Sequence, residues 1–507
     1  MTDLATAAPA TSKKKDADYI FYELTRSICP QCRRVIDAQI LLRDNKVFIR
    51  KRCPEHGLFE SLIYADAQVY TANSKFNKPG TIPLQFTTKI ERGCPHDCGL
   101  CPDHQQHACL GIIEVTSACN MDCPLCFANA GAGYRLTLRE VETILDAFVA
   151  TEGHPEVVQF SGGEPTIHPD IVPMIRAAQA RHIRAVMLNT NGRRIANDDA
   201  FLAQLAEVRP MIYFQFDGFE PETYRAIRGE PDLLPEKIRA LDRLASISCS
   251  VVLVPAIERG VNEHEVGRII QFGLAHPAVR GINFQPAFHS GRHSEPDPLQ
   301  RITIPDVLAL IEAQTQGKFF KSDFVPVPCC FPTCNSVTYA YVDGDAVMPI
   351  TRLINVDDYL DYITNRVVPD LAGDIKTALE GLWSSSAVPG SPKSAQEFAL
   401  TCAACGLPDG GFDLGTLTDH IFMIMLQDFL DPWTFNQKNV MKCCKEILLP
   451  DGKQIPFCAY NNVGYREQAR EQLAARQRAR IRAEREGVPY EPAPLTFSFN
   501  RGNGREH

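Results

Sequence analysis

The sequence predicts an α/β protein: a partial (β/α)6 barrel of parallel strands, preceded by a small metal ribbon and followed by a cysteine-rich extension. Three observations carry that expectation. Between residues 111 and 286, short apolar runs of strand type alternate six times with amphipathic helical stretches. Ten of nineteen cysteines fall in short CxxC and CxxxCxxC groups, the spacing of metal ligands, not in the scatter of a disulfide framework. One of those groups directly follows the first strand of the alternating region, and in parallel barrels the chemistry gathers at that end of the strands.

The totals set the frame. A chain of 507 residues has room for several domains and a large core. A net charge of −9 weighs against a dedicated nucleic-acid binder. The opening "MTDLATAAPATSKKKDAD" lacks the apolar centre of a secretory signal, and residues 1–18 read as a disordered tail. No apolar run reaches the roughly 18 residues of a membrane span. Cysteines kept as ligands fit a reducing compartment, so the expected location is the cytoplasm.

Residues 19–66 read as a ribbon. Cys29 and Cys32 in "SICPQC" precede the alternating "KVFIRKRC", and "CPEHG" then brings Cys53 and His56. Two such knuckles joined by a hairpin hold a structural zinc or a rubredoxin-like single iron, with a cysteine from elsewhere as the substitute for His56. Residues 67–110 form a cysteine-rich connector containing "ERGCPHDCGLCPDH". Its Cys94, Cys98 and Cys101 suit an auxiliary iron–sulfur cube or a zinc site, the fourth position falling to His104, Cys109, another cysteine or none.

Residues 111–300 form the barrel. Its strands are "GIIEVT", "VVQFSG", "RAVMLNT", "MIYFQFDG", "CSVVLVP" and "GINFQPA", with helices such as "TLREVETILDAFVATEG" between them. Cys249 opens the fifth run and reads as a small core residue. Residues 301–463 return to cysteines. Cys334, Cys444 and Cys458 with Cys329 are the preferred ligands of a further cube; Cys330 and Cys443 are their neighbours, and Cys402 and Cys405 compete. The apolar "IFMIMLQDFL" reads as a buried helix and a candidate wall for a lipid channel. Residues 464–507 give a charged helix with a solvated face, suited to a weak contact with anionic headgroups, and a Pro-rich tail.

The centre of the functional argument is "TSACNMDCPLCFANAG", with Cys119, Cys123 and Cys126. Three thiolates hold an iron–sulfur cube with one iron left open to a small chelating molecule. "FSGGEP" follows the second strand, "LNTNG" the third and "FQFDG" the fourth. On these motifs the core resembles the radical S-adenosylmethionine (SAM) superfamily. The resemblance implies a [4Fe–4S] cluster on the three cysteines and SAM on its open iron. It also implies reductive cleavage to a 5′-deoxyadenosyl radical, with flavodoxin or ferredoxin as reductant. It assigns SAM contacts to Phe127, Gly162, Gly163, Glu164 and Pro165. Asn189, Thr190, Asn191, Gln215 and Asp217 follow apolar strands whose ends aim them into the mouth, with Gln215 and Asp217 as partners for ribose hydroxyls.

The order of the motifs, with "CPxC…CPEHG" first, "GCPxxCGxC" next and "CC…PDG…IPFCAYN" after the core, narrows the likeness. It resembles the tetraether-lipid synthases and their relatives labelled 7,8-dihydro-6-hydroxymethylpterin dimethyltransferases. That likeness implies one or two auxiliary clusters and activation of an inert C–H bond to couple or modify lipid alkyl chains, with peripheral membrane contact. The alternative is methylation of a pterin, and the third reading is a peptide-modifying enzyme. The Arg-rich stretch Arg466 to Arg485 alone favours a nucleic-acid partner, and none is expected.

Overall fold

The structure is a computed structural model that describes residues 17–327, 330–352 and 420–499. Cys329, Cys402, Cys405 and residues 1–16 of the expected tail lie outside that range. The first unit is an antiparallel sheet of β1 (Ile20–Ile28), β2 (Val35–Arg43), β3 (Lys46–Cys53) and β4 (Gly57–Tyr64), in that order. Asp44 and Asn45 both take positive φ, so they close the β2–β3 hairpin with the hand of twist that two-residue loops favour. The sheet is tied to the rest of the protein by buried polar bonds. Thr25 Oγ1 donates to Asn436 Oδ1 at 2.6 Å, and Lys51 Nζ donates to the carbonyl of Pro432 at 2.7 Å.

The second sheet holds β5 (Leu110–Thr116), β6 (Val157–Gly162), β7 (Ala185–Thr190), β8 (Met211–Gln215), β9 (Val251–Val254) and β11 (Val279–Pro286) as parallel neighbours. These are the six strands expected from the apolar runs. A short β10 (Ala256–Ile257) pairs with β11. The crossovers are amphipathic helices; the first, Leu138–Glu152, begins in a capping box of Thr137 and Glu140 and buries Val141, Ile144, Leu145 and Phe148 against the sheet. Cys249 is buried in this core.

The C-terminal segment widens the sheet on both sides. β14 (Ile421–Gln427) joins β11 in parallel, and β15 (Lys445–Leu448) joins β5 in parallel. Outside them, β12 (Asn335–Asp343) and β13 (Ala346–Pro349) run antiparallel beyond β14, and β16 (Gln454–Pro456) caps β15. The parallel series therefore reads β15-β5-β6-β7-β8-β9-β11-β14. At the seam, Lys445 Nζ donates to Gln427 Oε1, so a side-chain bond spans the ends of β14 and β15.

β14 corrects one expectation. "IFMIMLQDFL" is not a helix: residues 421–427 form a strand between β11 and β12. A strand buried on both faces loses the polar alternation that marks strands, and a short apolar run then looks the same as a buried helix. Among the described residues no helix is long and apolar enough to cross a membrane. Ile424 is fully buried on the outer face of β14, whereas Met423 faces the open interior. Ile424→Ala should therefore destabilise the protein by about 2–5 kcal/mol, read as a lower denaturant midpoint, and Met423→Ala by clearly less.

Candidate active site

The three-cysteine loop leaves β5 at Thr116 and is held by main chain. Gly163 N donates to the Thr116 carbonyl at 2.8 Å, and Glu164 N to the Ala118 carbonyl at 2.9 Å. This contact explains the paired glycines. A Cβ on Gly162 would lie 2.2 Å from the Thr116 oxygen, and one on Gly163 2.1 Å from the Ala118 oxygen. On the other side Cys126 exchanges two main-chain bonds with Arg292, at 2.8 and 2.9 Å, and Arg292 Nε donates to the Cys123 carbonyl at 2.8 Å. The loop is pinned from two directions.

The thiols of Cys119, Cys123 and Cys126 line one wall of a cavity of ≈ 620 Å³ that fills the barrel interior. Burial pushes the Cys119 thiol up to about 11 and raises Cys123 as well, against the pull of Arg228 beside it. Buried thiols of this kind become thiolates when a metal centre supplies the positive charge, and three of them on one wall suit a cluster with an open iron.

The cavity wall has a gradient, because alternate residues of each strand face inward. The inward positions at the start of the strands are mostly apolar: Leu110 and Ile112 on β5, Val157 on β6, Met187 on β7, Met211 on β8, Val252 on β9, and Ile421, Met423 and Met425 on β14, with Arg280 on β11 and Lys445 on β15 as the exceptions. They turn polar towards the carboxyl ends: Glu114, Gln159, Ser161, Asn189, Tyr213, Gln215 and Gln427. From β11, Asn283 Nδ2 and Gln285 Nε2 both donate to Tyr213 Oη. Asn283 Oδ1 has no hydrogen-bond partner among the described residues. At the mouth Phe127, Phe288, Phe429 and Phe457 form an aromatic group, with Phe429 and Phe457 centroids 4.4 Å apart.

Most of the sequence-predicted contacts lie on this cavity: Phe127, Gly162, Gly163, Glu164, Asn189, Thr190, Asn191 and Gln215. Two do not. Pro165 starts a short 3-10 turn behind the wall. Asp217 is fully buried in a bidentate pair with Arg228, both contacts 2.7 Å, and also accepts from Ala256 N, so its oxygens have no place for a ribose hydroxyl. The residue it presents to the cavity is Arg228, which no motif announced. Glu164 is likewise committed: its carboxylate accepts from Thr166 N and Oγ1, Thr190 Oγ1 and Asn191 N. The turn thus offers the cavity the main chain of its glycines. Gln215 Oε1 accepts from buried Lys237, whose ammonium burial lowers to about 8.

Three further cysteine sets surround the barrel. In the ribbon, Cys29, Cys32, Cys53 and His56 bring their ligand atoms within 4.8 Å of one another. Cys32 and Cys53 sulfurs are 3.8 Å apart, and Cys53 Sγ lies 3.4 Å from His56 Nδ1. These are the edges of a tetrahedron around an ion about 2.3 Å from sulfur and about 2.0 Å from nitrogen. In the connector, Cys94, Cys98 and Cys101 surround a small pocket that His104 also lines. His104 Nε2 is committed to the Cys443 carbonyl at 2.7 Å and lies 3.3 Å from Glu446.

The C-terminal set departs from the expected ligand list. Cys330 Sγ lies 3.0 Å from Cys444 Sγ, and Cys109 packs against both. Cys334 borders the same group, and burial, with Cys330 nearby, raises the thiols of Cys334, Cys443 and Cys458. Cys109 therefore belongs here and not with Cys94, Cys98 and Cys101. Folding makes this neighbourhood: β15 follows Cys444 and pairs with β5, which follows Cys109. Lys445 Nζ, on the cavity wall, is 3.7 Å from Cys330 Sγ.

With this geometry in place, the comparisons define the class. Residues 113–273 match the model of the radical SAM superfamily, and residues 21–65 match a zinc ribbon domain described as the N-terminal domain of HMPTM. The chain is a radical SAM enzyme. Within that superfamily it belongs to the family of the 7,8-dihydro-6-hydroxymethylpterin dimethyltransferase of Methanocaldococcus jannaschii. The two are 35% identical over 487 residues, 89% of this chain and 95% of that one. The GTP 3′,8-cyclase of Chlorobaculum tepidum is 33% identical over 179 residues, 34% of this chain and 53% of its own. The crystal structure of Streptococcus suis SuiB aligns at a TM-score of 0.35 and 15% identity, over 41% of this chain and 46% of that one.

Two outcomes test the site. Gly163→Ala forces the cysteine loop off its brace, so anaerobically purified protein should lose the iron–sulfur absorbance assigned to this loop. Gly131→Ala, where an added Cβ meets nothing within 4 Å, should keep it. Cys32→Ser should remove the ribbon's metal ion, seen by elemental analysis as one ion fewer per chain, and lower the thermal midpoint.

Proposed function

We propose that the protein methylates a reduced pterin at an unactivated carbon inside the barrel cavity. The observation that carries this reading is the 35% identity, over 89% of the chain, to the protein named for that activity. The cavity supports it in two ways. Phe127, Phe288, Phe429 and Phe457 suit a flat heterocycle, and the ring of Gln159, Asn189, Tyr213, Asn283 and Gln285 suits its alternating donors and acceptors.

Cys119, Cys123 and Cys126 would hold the [4Fe–4S] cluster, with SAM against the Gly162–Gly163 main chain, Asn191 and Phe127. Bound there, the pair supplies reductive cleavage of SAM and a carbon radical that takes a hydrogen atom from the substrate. The chain's own part is positioning. Arg228, fixed by Asp217, presents a cation beside Cys123 and balances negative charge at that wall. The aromatic group at the mouth limits water around a reactive carbon. Cys29, Cys32, Cys53 and His56 would hold zinc. Cys94, Cys98 and Cys101, and the set of Cys109, Cys330, Cys334, Cys444 and Cys458, would each hold an auxiliary cluster.

A second reading has an observation of its own. The start of every lumen strand except β11 and β15, which give Arg280 and Lys445, contributes Leu, Ile, Val or Met, and the cavity continues past the polar ring into that largely apolar end. An alkyl chain fits such a space, which favours modification of a lipid carbon. Anaerobic incubation with SAM, dithionite and either 7,8-dihydro-6-hydroxymethylpterin or membrane-lipid extract separates the two. Deoxyadenosine with singly or doubly methylated pterin is expected; deoxyadenosine formed only with lipid, alongside altered alkyl chains, overturns the pterin reading.

A further inference from the structure

The loop that carries Phe127 has two sides. One faces the barrel cavity; the other lines a separate recess of ≈ 530 Å³ against the C-terminal helix Tyr465–Glu486. Phe127 is on the wall of both, so the two spaces are neighbours that share this residue. The helix contributes Arg466, Arg470 and Arg478 to the recess, with Ala474 between them. Positions i, i+4, i+8 and i+12 form one stripe of a helix, and the small residue at the third leaves room on it.

The three arginines differ in what they have left to give. Arg466 is buried and paired with Glu114 at 2.7 and 2.9 Å, with its guanidinium 5.7 Å from the Phe127 ring centroid, so its charge is spent within the wall. Arg470 donates to the carbonyls of Asn129 and Ala128 at 2.7 and 3.1 Å. Those acceptors are neutral, and the positive charge is not cancelled. Arg478 is exposed at the outer end of the stripe. Two acids also line the recess. Glu467 is taken by Arg33 of the ribbon at 3.1 Å, and Glu471 is exposed to solvent.

We propose that this recess is a subsite for an anionic, phosphate-type group, borne by a phosphate ester of the hydroxymethylpterin or by a phospholipid, whose reacting carbon lies past Phe127 in the barrel cavity. Planar guanidinium groups bind phosphate oxygens through paired hydrogen bonds. An anchor at this distance positions the rest of the molecule without touching the reacting atoms. The inference rests on the reading of the barrel cavity as the substrate chamber. A soluble phosphate ester and a phospholipid headgroup share this chemistry.

The test uses the full chain, purified anaerobically with its metals. Inorganic pyrophosphate is titrated by calorimetry, and phosphatidylglycerol vesicles are co-sedimented beside phosphatidylcholine vesicles. Wild-type protein should bind pyrophosphate or the anionic vesicles, and which of them it binds identifies the source of the group. Arg478→Gln should weaken that binding about tenfold, and Arg470→Gln with Arg478→Gln further. Arg176→Gln, on an exposed face of the barrel, should match wild type. Binding of neither probe, or equal binding by wild type and both Arg478 variants, overturns the subsite. The measurement needs no turnover. Lost anion binding without pterin or lipid product therefore removes only the chamber reading, whereas product with unaltered anion binding in the variants removes only the subsite.

Discussion

The clamp between the Thr116–Ala118 main chain and the Gly162–Glu164 turn is the contact on which the site depends. Three thiols in a loop do not gather unaided, because ordering each residue of such a loop opposes folding by about 1–2 kcal/mol. Here the order comes from strands that are rigid for other reasons. β5 and β6 are neighbours in the sheet, so their carboxyl ends bring the loop and the turn into register. Glu164 then locks the turn to β7 through Thr190 and Asn191, and Arg292 locks the far end of the loop. The glycines, the buried carboxylate and the arginine form one support, and the cysteines are its product.

The interior of the barrel is the second consequence of strand geometry. Eight-stranded parallel barrels ordinarily fill their lumen with layers of branched side chains. Here the seam between β14 and β15 is bridged by side chains, and the interior stays open along its length. The wall is graded because residues near the carboxyl ends of the strands meet polar loops and the cysteine motif, while most of those at the amino ends are apolar, Arg280 and Lys445 excepted.

Signals that lie close together in the chain were legible in the sequence. The six strands, the ribbon ligands and Cys119, Cys123 and Cys126 are each marked within a few residues, and the structure brings the ribbon's four ligands together. Signals spread along the chain were not. Cys109 and Cys330 meet Cys444 only because β15 pairs with β5, and nothing near Cys109 announces that pairing. Asp217 reads as a ligand contact from its motif because its partner, Arg228, sits at the end of the next helix without a motif of its own. β14 carries no strand signal for a different reason: burial on both faces erases the alternation from which strands are recognised.

The seam divides the enzyme's labour along the chain. The three-cysteine loop, its clamp and six lumen strands come from one continuous stretch, whereas both strands that flank the seam come from the C-terminal segment. Those two act as exchangeable staves in a fixed cask. Substitutions on Ile421, Met423, Met425 or Lys445 reshape what the vessel admits, while the clamp is made entirely by residues of the β5 and β6 ends and takes no side chain from these staves. A lineage of such proteins can thus change its substrates by rewriting a few tens of residues late in the chain, with the generator inherited intact.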